Sequence, residues 1–224
     1  MSARDAILGR LRASMPSTAP ALPDVAGWFA THRRDEDLAR RIARLRSALQ
    51  AVQAQVHDTT EADWPALLLR LARAKGLRNV LIGTDTPHGA RLQAQQNEDV
   101  RLLRYEQAID SWRDTLFDAV DASLTRARSA IAETGSLVLW PSASEPRLMS
   151  LVPPVHFVLL DATTIHTDLH TALRVEGWKD QLPTKALLIC GPSKTADIQQ
   201  TLAYGAHGPR ELVLLLCHPE GAAA

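Results

Sequence analysis

The sequence has few cysteines, no excess charge of either sign and no long apolar run, and each lack removes a class of function. Two cysteines, Cys190 and Cys217, cannot ligate a four-cysteine iron–sulfur cluster within this chain. Both stand inside apolar, strand-like runs, so they are expected as small buried hydrophobes rather than as a disulfide. Lysine plus arginine number 25 and aspartate plus glutamate number 25, which leaves nothing to draw the whole molecule to nucleic acid or an anionic membrane. No apolar run approaches the roughly 20 residues of a membrane span, and the N-terminus carries charges where a signal peptide is apolar. The expected location is the cytoplasm. What remains is an ordinary soluble composition, with 224 residues enough for one sizeable core or two small ones.

Ala3 to Ala13 is a short helix candidate, and Pro16, Pro20 and Pro23 mark the following stretch as a linker. From Asp35 the apolar residues Leu38, Ile42, Leu45, Leu49 and Val52 recur at steps of four and three, a helix whose outer face carries Arg40, Arg41, Arg44 and Arg46. Gln53 to Asp58 is a weak strand. Glu61 to Lys75 is a helix with Gly76 where a C-terminal cap belongs. Asn79 to Gly83 and Val100 to Tyr105 read as strands, with a short helix around Trp112 to Phe117. Ala130 to Trp140, Phe157 to Asp161, Lys185 to Cys190 and Leu212 to Cys217 are near-continuous apolar runs, as expected of central strands covered on both faces. Helices are expected near Ile165–Arg174 and Thr195–Tyr204. Strands alternating with helices predict an α/β fold with a largely parallel sheet. The domain reading is a helix and linker over 1–34, one α/β domain over 35–218, and a disordered tail over 219–224.

Chemistry concentrates in two stretches. Ile189 to Pro209 reads as the end of a strand, a tight turn at Gly191 and Pro192, and a helix start. Ser193 or Thr195 would cap that helix, and its free N–H groups, with Lys194, suit a carboxylate or phosphate. Asp197 follows near the helix start, and His207 and Gly208 stand in a second chain turn after the helix. A nucleotide P-loop is excluded, because Ser193 precedes the lysine and no glycine stands at the required distance. The second stretch holds Glu133, Thr134 and Gly135 in an otherwise apolar run, where a carboxylate is costly unless paired or at the mouth of a site. Glu133 is a candidate nucleophile or general base, or equally a structural acceptor. Arg147, with Ser150, suits bidentate carboxylate binding, or pairing with Glu133. His156 and His207 follow turn-like sequence and are further candidates. His166 and His170 lie four apart but lack a third ligand, so no metal is expected.

The stretches I-A-E-T-G-S-L-V-L, R-L-M-S-L-V-P-P-V-H, G-P-S-K-T-A-D-I and Y-G-A-H-G-P occur in that order over roughly residues 121 to 216. In them the chain resembles the lactate utilization protein C family, the stand-alone form of the LUD domain. Ser136 and Ala206 are mild departures. The resemblance implies a Rossmann-like open sheet with helices on both faces, as in the superfamily of NagB, RpiA and the CoA transferases. It also implies a bacterial role in oxidising L-lactate to pyruvate alongside iron–sulfur partner subunits, with no cofactor in this chain. Two readings follow. One is an accessory subunit binding a small carboxylate or a phosphate-containing ligand. The other is an acyl or CoA transferase in which Glu133 attacks, Ser193 and Thr195 hold an oxyanion and Arg147 orients the substrate. Redeployment of the domain with another partner and metabolite is a third.

Overall fold

Ser2 opens the first helix. Its hydroxyl accepts from the Asp5 amide while the Asp5 carboxylate accepts from the Ser2 amide, a reciprocal cap on α1 (Ala3–Ser14). A second short helix, α2 (Val25–His32), was not anticipated from the sequence, and neither helix buries a residue. The computed structural model describes residues 2–15, 21–32, 34–96, 98–196, 202–205 and 207–219. The chain divides into two compact units, residues 1–35 and 36–224.

The second unit begins with α3 (Leu38–Ala51), where the Asp37 carboxylate accepts from the Arg40 amide at the N-terminus and Leu45 and Leu49 are fully buried. Next come β1 (Gln55–Thr60), α4 (Trp64–Ala74), β2 (Asn79–Ile82), α5 (Pro87–Ala94), β3 (Arg101–Arg104), α6 (Ile109–Asp118) and β4 (Ala122–Arg126). A hairpin of β5 (Ser129–Ile131) and β6 (Ser136–Leu139) precedes β7 (Val155–Asp161), β8 (Ile165–His166) and α7 (Leu169–Val175). The chain closes with β9 (Leu187–Ile189), β10 (Lys194–Ala196), β11 (Leu202–Tyr204) and β12 (Glu211–His218). Gly76 adopts a left-handed φ of 68° after α4, the cap its position predicts.

Six strands form one sheet in the order β1-β12-β7-β4-β2-β3, and every neighbouring pair is parallel. Alternation along the strands sends Val213, Leu215, Phe157 and Leu159 to one face, under Trp64 and Leu68 of α4 and Leu92 of α5. Leu214, Leu216, Val158 and Leu160 face the other way, against Leu45 and Leu49 of α3 and the residues of a second sheet. Farther along that face, Leu81 packs with Leu116 of α6 and Met149. Each such fully buried side chain contributes roughly 1.5–3 kcal/mol of apolar burial. The expected open, parallel α/β sheet is therefore what the chain builds, with helices on both faces.

Three local expectations are corrected. Ala130–Trp140 and Lys185–Cys190 are not central strands: they supply β5, β6 and β9 of a four-stranded sheet in the order β8-β5-β6-β9. The turn at Gly135, with φ of 68°, reverses the chain within a few residues, and a parallel central strand requires a long crossover instead. The central position belongs to β4, which carries Ser123 and Thr125 and so lacks an unbroken apolar run. The third correction concerns Thr195–Tyr204. Its described ends are antiparallel strands, with Lys194 opposite Tyr204 and Ala196 opposite Leu202, rather than the ends of a helix.

Candidate functional site

That hairpin removes the helix N-terminus expected at Gly191–Thr195. The Ser193 amide donates to the Pro209 carbonyl at 2.8 Å, and the Ser193 carbonyl accepts from Gly205 at 2.9 Å, so both backbone groups of Ser193 are already paired. Lys194 is exposed, and Pro192, Ser193 and Thr195 are half-buried. Asp197 lies outside the described residues. Gly208 sits closely against Ser193, since a Cβ there would meet the Ser193 Cβ at 3.1 Å, and the neighbouring His207 is exposed.

The two stretches singled out in the sequence do meet. β6 and β9 pair antiparallel, Leu137 opposite Ile189, and one step beyond that register the Ser136 hydroxyl lies 3.0 Å from the Cys190 thiol and 2.6 Å from the Thr134 hydroxyl. Both turns rest on α3. A Cβ on Gly135 would meet Ala48 at 2.7 Å, and one on Gly191 would meet Val52 at 2.7 Å, one helical turn farther on. Glu133 projects from this junction with its side chain 48% exposed, and its carboxylate lies 3.7 Å from Arg44 rather than against Arg147. Arg44 in turn holds Glu36 at 3.2 Å. Arg41 donates to the Ile165 carbonyl and Arg46 holds Asp58, so three of the four arginines of α3 are engaged locally. Cys190 is exposed, contrary to expectation, whereas Cys217 is buried and its thiol is pushed up to about 12 by burial and then by Glu61.

A different group of side chains gathers at the carboxyl ends of the central strands. After β2 the chain crosses through α5 on one face to β3. After β3 it returns through α6 on the opposite face to β4, on the other side of β2. Strand order thus reverses between β2 and β4, the place where open α/β sheets leave a crevice outside the strand ends. A narrow slot opens there, lined by Thr125 and Arg126 from the end of β4, Trp140 after β6, and Glu145, Arg147 and Ser150. Its empty space is ≈ 220 Å³ counting the open mouth, and its deep part has room for about one water.

Each wall has a physical cause. Gly83 lets the 142–145 loop approach the end of β2: a Cβ there would lie 2.6 Å from the Ser144 carbonyl oxygen, and that carbonyl accepts from the Thr84 amide at 3.0 Å. The loop is closed by Ser142 donating to the Glu145 carbonyl at 3.1 Å and by the Ser142 hydroxyl accepting from the Glu145 amide at 3.0 Å. The Glu145 carboxylate is fixed by the Nε2 of buried His88, at 2.8 Å, near the start of α5. Arg126 lies 3.7 Å from Glu61, which also takes Arg91 at 3.5 Å, so one carboxylate serves two guanidinium groups. Arg147 is exposed, and among the described residues no carboxylate lies within ion-pairing distance of it. Ser150 is buried and donates to the Arg147 carbonyl at 3.0 Å, setting the 3-10 turn Arg147–Ser150 that presents the guanidinium. Positive charge exceeds what its neighbours compensate, which suits an anion.

Beneath the slot, His156 is fully buried with Nε2 2.8 Å from the Thr125 hydroxyl, and its Nδ1 has no partner among the described residues. Burial holds its acidity at about 3, so it is neutral at ordinary pH and supports the wall without touching solvent. His166 lies in β8 and meets Glu176 at 3.0 Å, while His170 lies in α7, so the two do not share a helix face. Other openings compete less well for an anion. A cavity with ≈ 720 Å³ of empty space beside β2 and β3 contains Arg104, but Glu106 at 2.8 Å and Asp85 at 3.8 Å already compensate it. A larger groove along α3, with ≈ 1350 Å³ of empty space, is mainly apolar, and its Arg46 and His218 both meet Asp58.

Of the slot, Arg147 and Ser150 were identifiable from sequence, whereas Arg126, Glu145, His88 and Glu61 were not. The signal for Arg126 is its place at the end of a strand, which counts only once that strand is recognised as central.

A family model described as the LUD domain matches residues 42–217. The chain is similar to the uncharacterized protein NMB1437 of Neisseria meningitidis serogroup B, 39% identical over 226 aligned positions that cover 98% of this chain and 95% of the relative. It is 26% identical to Lactate utilization protein C of Bacillus licheniformis over 50% of this chain and 49% of that one. With Lactate utilization protein C of Bacillus pumilus the identity is 24%, over 80% and 79% respectively. Among solved structures, a duf162 family protein from Deinococcus radiodurans shares the fold, with a TM-score of 0.60 and 19% identity over 81% of this chain and 99% of that chain.

Proposed function

The chain belongs to the LUD domain family, and on that footing we propose that it is a subunit of an L-lactate utilization system that binds a small carboxylate. The oxidation of L-lactate to pyruvate would run with iron–sulfur partner subunits, as the family resemblance implies, and the two cysteines of this chain, too few for a four-cysteine cluster, agree with that division. The names of the relatives support the metabolic assignment. The observation that carries the binding role is the uncompensated Arg147 beside Arg126 in a slot at the strand-order reversal. A planar guanidinium presents paired donors to a carboxylate, and the exposed Arg147 offers them at the mouth of the slot. An exposed Glu133 on the α3-packed turn lends the transferase reading no comparable support.

The test is thermal stabilisation of the purified protein by L-lactate and pyruvate, with inorganic phosphate and acyl-CoAs for comparison. A ligand at 100 times its dissociation constant adds roughly 2.7 kcal/mol. Stabilisation by the three-carbon acids, lost in Arg147→Gln, supports the assignment. Stabilisation by acyl-CoA alone would replace it.

A further inference from the structure

Resting on this carboxylate site, we infer that Glu145 determines its specificity, admitting acids with one carboxylate and rejecting those with two. Glu145 lines the same slot as Arg126 and Arg147. Its charge is not free to swing away. His88, itself 5% exposed, holds one carboxylate oxygen, and the reciprocal Ser142 bonds fix the backbone beneath it. The loop approaches Gly83 closely, so that a Cβ on that glycine would lie 2.8 Å from the Glu145 Cγ, which sets the side chain's stem against the end of β2.

A bound monocarboxylate directs its charge to the two guanidinium groups and only its uncharged end toward Glu145. A dicarboxylate of similar size brings a second negative charge into the same narrow space. At about 6 Å and an effective dielectric near 20, that repulsion weakens binding on the order of 10- to 100-fold once salt screening is allowed for. Rejection by a fixed like charge is a common way of building specificity that attraction alone does not supply. L-Lactate and L-malate make a suitable pair of probes, because malate is lactate with a carboxylate added to its methyl group.

The experiment is calorimetric titration of L-lactate and L-malate into the wild-type chain and into Glu145→Gln, with melting curves for both. The glutamine keeps a hydrogen-bonding atom for His88. The expected result is lactate binding by both proteins, malate at least tenfold weaker on the wild type, and malate within about threefold of lactate on the variant. Unchanged discrimination in Glu145→Gln, with lactate still bound, overturns the role of Glu145 and leaves the carboxylate site standing. Failure of the wild type to bind either acid overturns the site and this inference together. If Glu145→Gln does not melt cooperatively, Glu145→Asp, which withdraws the charge by one methylene, is titrated instead. A lactate-to-malate ratio unmoved in that variant overturns the inference equally.

Discussion

The junction on α3 and the slot between β2 and β4 are both rich in polar residues, yet they are held in opposite ways. At the junction, Gly135 and Gly191 press directly on Ala48 and Val52, the Ser193 amide is used by Pro209, and Glu133 hangs outside beside Arg44. At the slot, the loop backbone is bonded underneath while the buried His156 Nδ1 has no partner among the described residues, and the side chains of Arg126 and Arg147 stay under-compensated at the surface. Motif density in the sequence thus marks close packing at the junction, while the slot is marked by charge that its neighbours leave over. A glycine-rich turn is fixed by the atoms that touch it, whereas a binding site is recognised by the charge left over.

The packed junction is most sensitive at Gly135. Gly135→Ala adds a Cβ at 2.7 Å from Ala48 in a residue with φ of 68°. It should cost about 2–4 kcal/mol of stability, from overpacking and left-handed strain together. Urea denaturation checks this, and a loss below half a kcal/mol would mean that the junction yields more readily than its packing indicates.

Acidification tests the buried support of the slot. The folded-state acidity of His156 is depressed to about 3, so the unfolded chain takes up its proton first. The contribution of His156 is complete above pH about 6.5 and is lost as pH falls toward 3, at about 1.4 kcal/mol per pH unit. His57, depressed by burial and then by Lys75, adds in the same sense. Asp58, Asp121 and Glu176, whose carboxyls are also held low, matter only nearer the acid end. Denaturation at pH 7, 6 and 5 should show this slope in the wild type and a flatter one in His156→Gln. Equal slopes would remove His156 as the cause.

At the surface the expectation reverses. Arg147→Gln should leave stability within about 0.5 kcal/mol, because its guanidinium packs against no carboxylate of the described residues. Carboxylate affinity should nevertheless fall about tenfold or more. The smallest effect concerns the cysteines. Iodoacetamide at pH 8 should label exposed Cys190 well before buried Cys217, whose thiol holds its proton to about pH 12. Mass mapping of the modified peptides reads this directly, and early labelling of Cys217 would contradict its burial.

The fold was legible wherever one residue pattern dominated. The α3 and α4 stripes, Gly76 and the apolar strands β7 and β12 all announce themselves by spacing. β4 was missed because Ser123 and Thr125 interrupt its apolar run, and their hydroxyls find the Met149 carbonyl and His156 only in the folded chain. Ala130–Trp140 misled for the converse reason, since continuous apolar sequence serves a second sheet as well as a central strand. Arg147 and Ser150 were visible as a cationic group beside a turn. Arg126, Glu145 and His88 come from three separate segments that only the sheet order brings together.

The most direct test of the account is the affinity of L-lactate for three proteins measured by titration calorimetry: the wild-type chain, Arg147→Gln in the slot and Lys194→Ala in the hairpin. The account predicts binding to the wild type, a loss of about tenfold or more in Arg147→Gln, and little change in Lys194→Ala. The reverse pattern, with Lys194→Ala impaired and Arg147→Gln unaffected, would move the carboxylate site to the hairpin and contradict the account.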